Sequence, residues 1–319
     1  MKFKHSFHVF VDNFAVTYKQ LLYRLVILLI TIGLNFAIVY PLIKGFTASV
    51  EYSSLMDGIK AFLKNLVEGH PNQMGAATEQ IKQSFKDLLD YISRNSGSII
   101  LASLGVVAVH LIGKFFTSLG NYAMAAVIND KMALRANSAF LITLVKNLKE
   151  ACLYSLIYVP LSFIYDVLIA GLLFLIVFKV LFFLPVLLNI FLFVTLCVLA
   201  ISFKMVFTTD WLPALIRSKK KQGEAFLYTF NRRGKNTLNV LSNFIVIVLI
   251  IFAVNVFAVL FTFGAGALIT VPSSYAILVC FEFVNYYDRE ELKYFIDKNT
   301  IIKPEKEHTP TIEEFFKGE

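Results

Sequence analysis

Six long apolar runs alternate with shorter polar segments along the chain of 319 residues. A helix needs about 20 mainly apolar residues to cross the hydrocarbon core of a bilayer. Each run reaches about that length, so the pattern predicts an all-α, polytopic membrane protein with six transmembrane helices. The predicted spans cover approximately 22–43, 98–118, 151–178, 180–207, 238–263 and 265–284.

Three of the apolar runs follow similar basic, amphipathic segments, which begin near Phe7, Phe140 and Phe226. Each segment opens with an aromatic residue, carries Lys or Arg about two turns later, and leads into a run that is paired with a second run. The chain therefore reads as three repeats of one unit, an amphipathic surface helix plus a helical hairpin. We expect these repeats to form a single membrane domain over residues 1–297.

Short similar stretches also follow the second and fourth spans. Asn121 precedes Tyr122 and an apolar run, and Asp210 precedes Trp211 and another. Aromatic rings of this kind are enriched where the membrane meets water. The pattern predicts that Tyr122 and Trp211 lie at that interface.

The segment 45–97 between the first two spans carries two apolar stripes at helical spacing, one containing Phe62 and the other Phe85. We expect a helical insert whose stripes pack on each other and on the membrane surface. The alternative is a docking surface for a protein partner or for a second copy of the chain. Residues 298–319 are polar and are expected to form a flexible tail.

The composition supports lipid as the solvent of this chain. Hydrophobic residues make up 57% and charged residues 16%, whereas soluble domains hold about 25% charged residues. The net charge of +8 is concentrated in short segments beside the apolar runs, as membrane topology requires. This distribution argues against nucleic-acid binding.

The basic segments also predict the orientation. Basic residues outnumber acidic ones by four to one in residues 1–24, by five to two in 114–150 and by eight to two in 204–236, whereas residues 44–97 carry six of each. With six spans, the three basic segments fall on one side, which the positive-inside rule assigns to the cytoplasm. Both termini are then cytoplasmic and the insert is extracytoplasmic.

Asp166 is the most informative polar residue, because it lies near the middle of the third predicted span. A carboxylate there costs about 2.5–3.5 kcal/mol on insertion scales. We expect it to face the bundle interior with a polar partner from another span, His110 first and Asn255 second. Such a site serves either a proton or cation relay or a structural contact. Lys204 and Glu282 lie at the inner ends of their spans, where an ion pair or snorkelling to the interface would serve.

A second candidate site is a basic run beside the bilayer, in which each charge near an anionic leaflet contributes about 1 kcal/mol. Its members are Arg217, Lys219, Lys220, Lys221, Arg232, Arg233 and Lys235.

No common hydrolase, zinc-protease or nucleotide-binding motif is present in the sequence. The three cysteines, Cys152, Cys197 and Cys280, lie in apolar runs without metal-ligand or disulfide spacing. We therefore expect no metal, no cofactor and no enzymatic activity.

Three short motifs carry a resemblance. They are the Trp-x-Pro-Ala stretch at 211–214, the Gly-Glu-Ala-Phe stretch at 223–226 and the Phe-Val-Asn-Tyr-Tyr-Asp stretch at 283–288. Together they resemble uncharacterised six-span bacterial membrane proteins related to the membrane domain of glycerophosphodiester phosphodiesterases, mainly over residues 204–297. The resemblance implies a bacterial cytoplasmic membrane and no assigned chemistry, and the insert is not a feature of that group.

Two functions are compatible with these patterns. The first is a non-enzymatic component that handles a small solute or lipid, or accompanies its transport. The alternative is a membrane scaffold or regulatory subunit that acts through the external helical pair and the cytoplasmic surface helices.

Overall fold

The structure is a computed structural model that describes residues 2–69, 71–180, 183–231, 237–297 and 300–304. Its helices are α1 Lys2–Asp12, α2 Phe14–Thr47, α3 Val50–Glu68, α4 Pro71–Arg94, α5 Ser96–Leu134, α6 Phe140–Lys146, α7 Leu148–Leu175, α8 Val186–Thr208, α9 Trp211–Ile216, α10 Gln222–Asn231, α11 Thr237–Phe261 and α12 Ala267–Arg289. A π-helical turn, Ile176–Val180, follows α7, and strands β1 Tyr294–Phe295 and β2 Ile301–Ile302 close the chain.

Six of the described helical segments are long and apolar enough to cross a membrane. They are Phe14–Thr47, Ser96–Leu134, Leu148–Lys179, Leu188–Ile216, Thr237–Phe261 and Ala267–Arg289. Each coincides with one predicted span, so the all-α, polytopic membrane architecture is confirmed, and lipid is the natural environment of these surfaces.

The chain divides into two compact units. One comprises Val26–Lys114, and the other comprises Met1–Leu25 with Phe115–Glu319. In the first, α3 and α4 pack on each other; the Ser54 and Ser84 hydroxyls lie 2.9 Å apart, and Arg94 donates to Glu51 at 3.1 Å. Phe85 nevertheless remains 54% exposed, so the predicted stripes are not fully covered by each other.

The second unit has its core where α1, α6, α9 and α10 meet the ends of α5 and α12. We call this region the basic end. The stretches that follow the second, fourth and sixth spans converge in this core. Tyr122 is 3% exposed and Trp211 is 1% exposed, so both rings are buried in protein, and their depth at the membrane interface stays a prediction. Their rings pack against protein because helix-end aromatics from three spans meet at one point.

Both hairpins of the second unit reverse at residues that favour a turn. Pro185 precedes α8 in an extended conformation. Between α11 and α12 the chain reverses through Phe263 and Gly264, both with positive φ. Glycine takes that conformation without the steric penalty that a Cβ imposes.

Helices α1, α6 and α10 occupy the places predicted for the three surface helices, but α6 has only 7 residues and α10 only 10. The aligned phenylalanines differ in environment, since Phe7 is 48% exposed whereas Phe140 is 3% exposed. The threefold repeat therefore stays a prediction.

The start of the predicted flexible tail is ordered. Within residues 300–304, Ile301 and Ile302 form strand β2, which pairs antiparallel with β1 in the register Tyr294↔Ile302. Two consecutive β-branched residues favour this extended conformation. The rest of the predicted tail, at 298–299 and 305–319, lies outside the described residues.

One glycine permits a close approach between α2 and α5. A Cβ on Gly120 would lie 2.5 Å from Cε1 of Tyr23. The Tyr23 hydroxyl donates to the carbonyl oxygen of Phe116 at 2.9 Å, which fixes the ring against the glycine.

Candidate functional site

Asp166 of α7 forms an ion pair with Lys204 of α8, with 2.5 Å between Oδ1 and Nζ. The two residues are equally far in sequence from Pro185, so the antiparallel hairpin brings them opposite each other. Lys204 is therefore a partner of Asp166, and the preferred pairing of Asp166 with His110 stays a prediction. His110 is an exposed residue of α5 and belongs to the other unit.

The sequence indicates that Asp166 faces the bundle interior, but the pair does not lie there. The side chain of Asp166 is 40% exposed and that of Lys204 is 20% exposed. Lys204 is about 27 Å along α8 from the hairpin turn, at roughly 1.5 Å per residue. The pair therefore lies toward the basic end of α8, far along the helix from the hairpin turn.

Lys204 also forms part of the wall of an open groove between α7, α8 and α10, with a volume of about 150 Å³. Leu161 is 43% exposed and Phe207 is 40% exposed at this groove, so it opens on the outer surface of the helices. The full lining consists of Tyr158, Leu161, Ser162, Tyr165, Lys204, Phe207, Thr208, Trp211 and Phe226. The surface of the groove is therefore almost entirely apolar, with Lys204 among the residues of its wall.

A smaller cavity lies behind the groove, and we call it the Glu282 chamber. It has about 20 Å³ of free volume, which is room for about one water molecule. Its lining comprises Tyr154, Tyr158, Met205, Thr208, Leu212, Tyr275, Leu278, Val279 and Glu282. Tyr158 and Thr208 line both spaces, so the groove and the chamber share a wall.

Glu282 is 8% exposed. Among the described residues, its carboxylate has no hydrogen-bond or ion-pair partner. Buried carboxylates are normally paired or hydrogen-bonded, because an uncompensated charge is costly there. From the sequence, Glu282 is interpreted as an ion-paired or snorkelling residue. The contacts of the described residues do not show that role.

The aromatic wall of the chamber is built from contacts between helices. The ring of Trp211 lies 5.2 Å from that of Tyr154 and 6.1 Å from that of Tyr158, both in edge-on geometry. The Arg24 guanidinium lies 4.6 Å from the ring centre of Tyr275. Aromatic pairs of this kind contribute about 0.5–1.5 kcal/mol each beyond area burial, so the wall is well fixed.

Asn255, the third residue of the predicted intramembrane site, has a different role. Its side-chain amide donates to Ser274 at 2.8 Å, and its oxygen accepts from Thr270 at the same distance. Both partners belong to α12, so Asn255 joins α11 to α12 as polar side chains commonly do between membrane helices. It lines neither the groove nor the Glu282 chamber.

Two side chains of the basic run contact aromatic rings, and two others are exposed. The Arg217 guanidinium lies 5.4 Å from the ring centre of Tyr287, and Nζ of Lys220 lies 3.2 Å from that of Tyr228. Lys219 and Lys221 are exposed and remain available to an anionic surface. Arg232, Arg233 and Lys235 lie outside the described residues.

A polar chain joins α1 to the C-terminal strands. The Tyr294 hydroxyl donates to Asp288 at 2.8 Å, so its oxygen accepts from Nδ1 of His5 at 3.1 Å. Burial lowers the pKa of His5 below its usual 6.5, and the nearby Asp288 opposes that shift. Burial of the Tyr294 hydroxyl, together with the nearby Asp288 carboxylate, raises the pKa of Tyr294. This chain holds the N-terminal helix against the basic end.

Sequence reasoning missed the groove and the Glu282 chamber because each is assembled from three or more helices. The available signals were Tyr154 and Tyr158, one turn apart, and a lone carboxylate at Glu282 within an apolar run. Neither signal names the partner helix. Within the described ranges, no three His, Cys, Asp or Glu side chains come together as metal ligands.

No known protein family, curated protein or solved structure matches this chain.

Proposed function

We propose that this protein is a non-enzymatic membrane component that handles a lipid or another small amphiphile in the groove beside Lys204. The observation that carries the proposal is the position of the Asp166–Lys204 pair. It lies on the outer surface of the α7–α8 hairpin, toward the basic end of α8, at a groove with an apolar wall.

The size of the groove favours a membrane lipid as the ligand. About 150 Å³ is below the roughly 300–1,000 Å³ of pockets that enclose a drug-sized molecule. The groove therefore suits one part of a ligand whose remainder stays in the bilayer. Lys204 in the wall would provide a charge for a phosphate, and the apolar remainder of the wall would contact an acyl chain.

A tryptophan-quenching experiment tests the proposal, because Trp211 is the single tryptophan of the chain and lines the groove. At 1% exposure it is shielded from bulk lipid. In bilayers of phosphatidylethanolamine with brominated acyl chains, we expect Trp211 fluorescence to be quenched relative to the unbrominated lipid. Equal fluorescence in the two bilayers would refute binding in the groove.

Two variants sharpen this test. Lys204→Met should reduce the quenching, because it removes the cation that holds the headgroup. Lys179→Met is the matched control; it removes an exposed lysine from the opposite end of the same hairpin and should leave the quenching unchanged. A loss of quenching in both variants would indicate a general effect of charge.

The second candidate function is a scaffold or regulatory subunit, and the exposed apolar residues of α3 and α4 favour it. Leu63 is 52% exposed, Phe85 is 54% exposed and Val67 is 86% exposed. A scaffold should lose its cellular role when Phe62 and Phe85 are both changed to Ser and should retain it in Asp166→Asn. The lipid-handling function predicts the reverse pattern.

The resemblance to six-span bacterial membrane proteins related to glycerophosphodiester phosphodiesterases supports the same proposal, since it implies a bacterial cytoplasmic membrane. In that setting the three basic segments and both termini face the cytoplasm, and the groove opens to the cytoplasmic leaflet. The exposed Lys219 and Lys221 would then lie near its anionic headgroups.

A further inference from the structure

The Glu282 chamber places a mostly buried carboxylate in a small cavity, without a compensating charge from any residue that the structure describes. Glu282 is 8% exposed, and no described residue donates a hydrogen bond to it or pairs with it. The chamber has room for about one water molecule. Such a group attracts a small positive species, because a bare carboxylate in a poorly hydrated space is unfavourable.

The basic side chains around the chamber are already engaged. Arg289 stands two turns beyond Glu282 on α12, Lys204 stands on α8 and Arg24 stands on α2. Each has a partner of its own: Arg289 pairs with Asp210, Lys204 with Asp166, and Arg24 donates to Asn121. The neighbouring Asp210 adds negative charge, although Arg289 offsets it.

The remaining chamber wall presents oxygen atoms rather than charges. Tyr154, Tyr158 and Tyr275 carry hydroxyl groups, and so does Thr208. The Thr208 hydroxyl donates to the carbonyl oxygen of Lys204 at 3.2 Å, which leaves its oxygen free to accept or to coordinate. Hydroxyl oxygens combined with one carboxylate suit a hard cation of low charge.

We propose that the Glu282 chamber binds one monovalent cation, either a proton on the carboxylate or a Na⁺ ion held by the carboxylate and hydroxyl oxygens. A divalent ion fits less well, since Mg²⁺ and Ca²⁺ take six or more oxygen ligands and the chamber holds about one water-sized particle. The site is separate from the ligand of the groove and stands whether or not the groove binds lipid.

Two direct measurements on the full-length protein in phosphatidylcholine nanodiscs distinguish the two cations. A protonated carboxyl group gives an infrared C=O band that is absent from a carboxylate, and this band should appear as the pH falls. Radioactive ²²Na⁺ should bind with one ion per protein if Na⁺ is the ligand, with choline chloride keeping the ionic strength constant. A carboxyl band without ²²Na⁺ binding assigns a proton, and ²²Na⁺ binding assigns Na⁺.

Glu282→Gln keeps the size of the side chain and removes the charge. We expect it to abolish the infrared band, or to weaken ²²Na⁺ binding at least tenfold. Glu224→Gln is the matched control, because it removes an exposed carboxylate from α10 and should behave as wild type. A band or ²²Na⁺ binding that persists unchanged in Glu282→Gln would overturn the proposal.

The wild-type protein alone also decides the question if Glu282→Gln fails to fold. With neither a protonated carboxyl band between about pH 5 and 9 nor ²²Na⁺ binding, the chamber holds no cation and the proposal is wrong. With either signal, Tyr275→Phe provides the local test, since it removes one chamber hydroxyl and retains the carboxylate. It should shift the midpoint of the band or weaken Na⁺ binding several-fold, and an unchanged midpoint and affinity would place the signal elsewhere.

Discussion

Replacing Lys204 by Met should destabilise the protein by about 2 kcal/mol, because it leaves the Asp166 carboxylate without its cation. An unpaired carboxylate in the middle of a spanning helix costs about 2.5–3.5 kcal/mol on insertion scales. Asp166 is 40% exposed, so we expect less than the full penalty. Asp166→Asn should cost about 1 kcal/mol, since an amide still accepts a hydrogen bond and Lys204 can extend toward the interface.

The interaction itself is measured by a double-mutant cycle with Lys204→Met, Asp166→Asn and the double variant. We expect a coupling energy of about 1–2 kcal/mol. This lies above the 0–1 kcal/mol typical of exposed ion pairs and below the roughly 3–5 kcal/mol lost when one partner of a fully buried pair is removed.

The assay is reversible unfolding in mixed micelles, followed by circular dichroism and by the fluorescence of the single tryptophan, Trp211. Lys179→Met serves as the control and should stay within about 0.5 kcal/mol of wild type, as surface substitutions usually do. A coupling energy below about 0.5 kcal/mol would be no larger than the additivity error for independent sites. That result would refute the conclusion that the pair is desolvated enough to matter.

Three further predictions concern packing, pH and orientation. Gly120→Ala should destabilise the protein by about 1–3 kcal/mol through overpacking. Gly171→Ala, which has open space around its Cβ, should be neutral or slightly stabilising in the same thermal-unfolding assay. Equal effects of the two substitutions would contradict the close approach of Tyr23 to Gly120. The pKa of His5 is lowered on folding, so the unfolded state binds more protons, and the contribution of His5 to stability is present above about pH 6.5 and lost as the pH falls. Unfolding midpoints measured against pH should show this loss in wild type and in His8→Asn but not in His5→Asn. A pH dependence that survives in His5→Asn would belong to another group. Gly75→Cys, in a variant without the three native cysteines, should react with an impermeant thiol reagent on intact cells, and labelling only after lysis would reverse the orientation.

The six spans could be predicted from the sequence because length and hydropathy are properties of each segment alone. The same is true of the two helical reversals, which depend on local signals such as Pro185 and Gly264. The partner of Asp166 could not be predicted in this way. It depends on how α7 and α8 align in the hairpin, which neither segment encodes alone.

The aromatic residues show a second limit of sequence reasoning. Tyr122 and Trp211 have the composition of an interfacial belt, yet both are buried against protein. A single helix end cannot reveal that the ends of three spans meet in one core. The same convergence encloses Glu282, so the features most relevant to function are those that no single segment encodes.

The distribution of burial along the spans favours a ligand that enters from one leaflet over a solute that crosses through a central path. In the most apolar stretch of the first span, no residue is buried. In the most apolar stretch of α12, half of the residues are buried. The Glu282 chamber lies where α12 meets the basic end, and the groove shares Tyr158 and Thr208 with it. The most extensively packed part of the second unit is therefore at one end of the spans, and the longer apolar stretches face lipid. This distribution supports the proposal that the protein holds an amphiphile at the membrane boundary, with a polar chamber behind the groove.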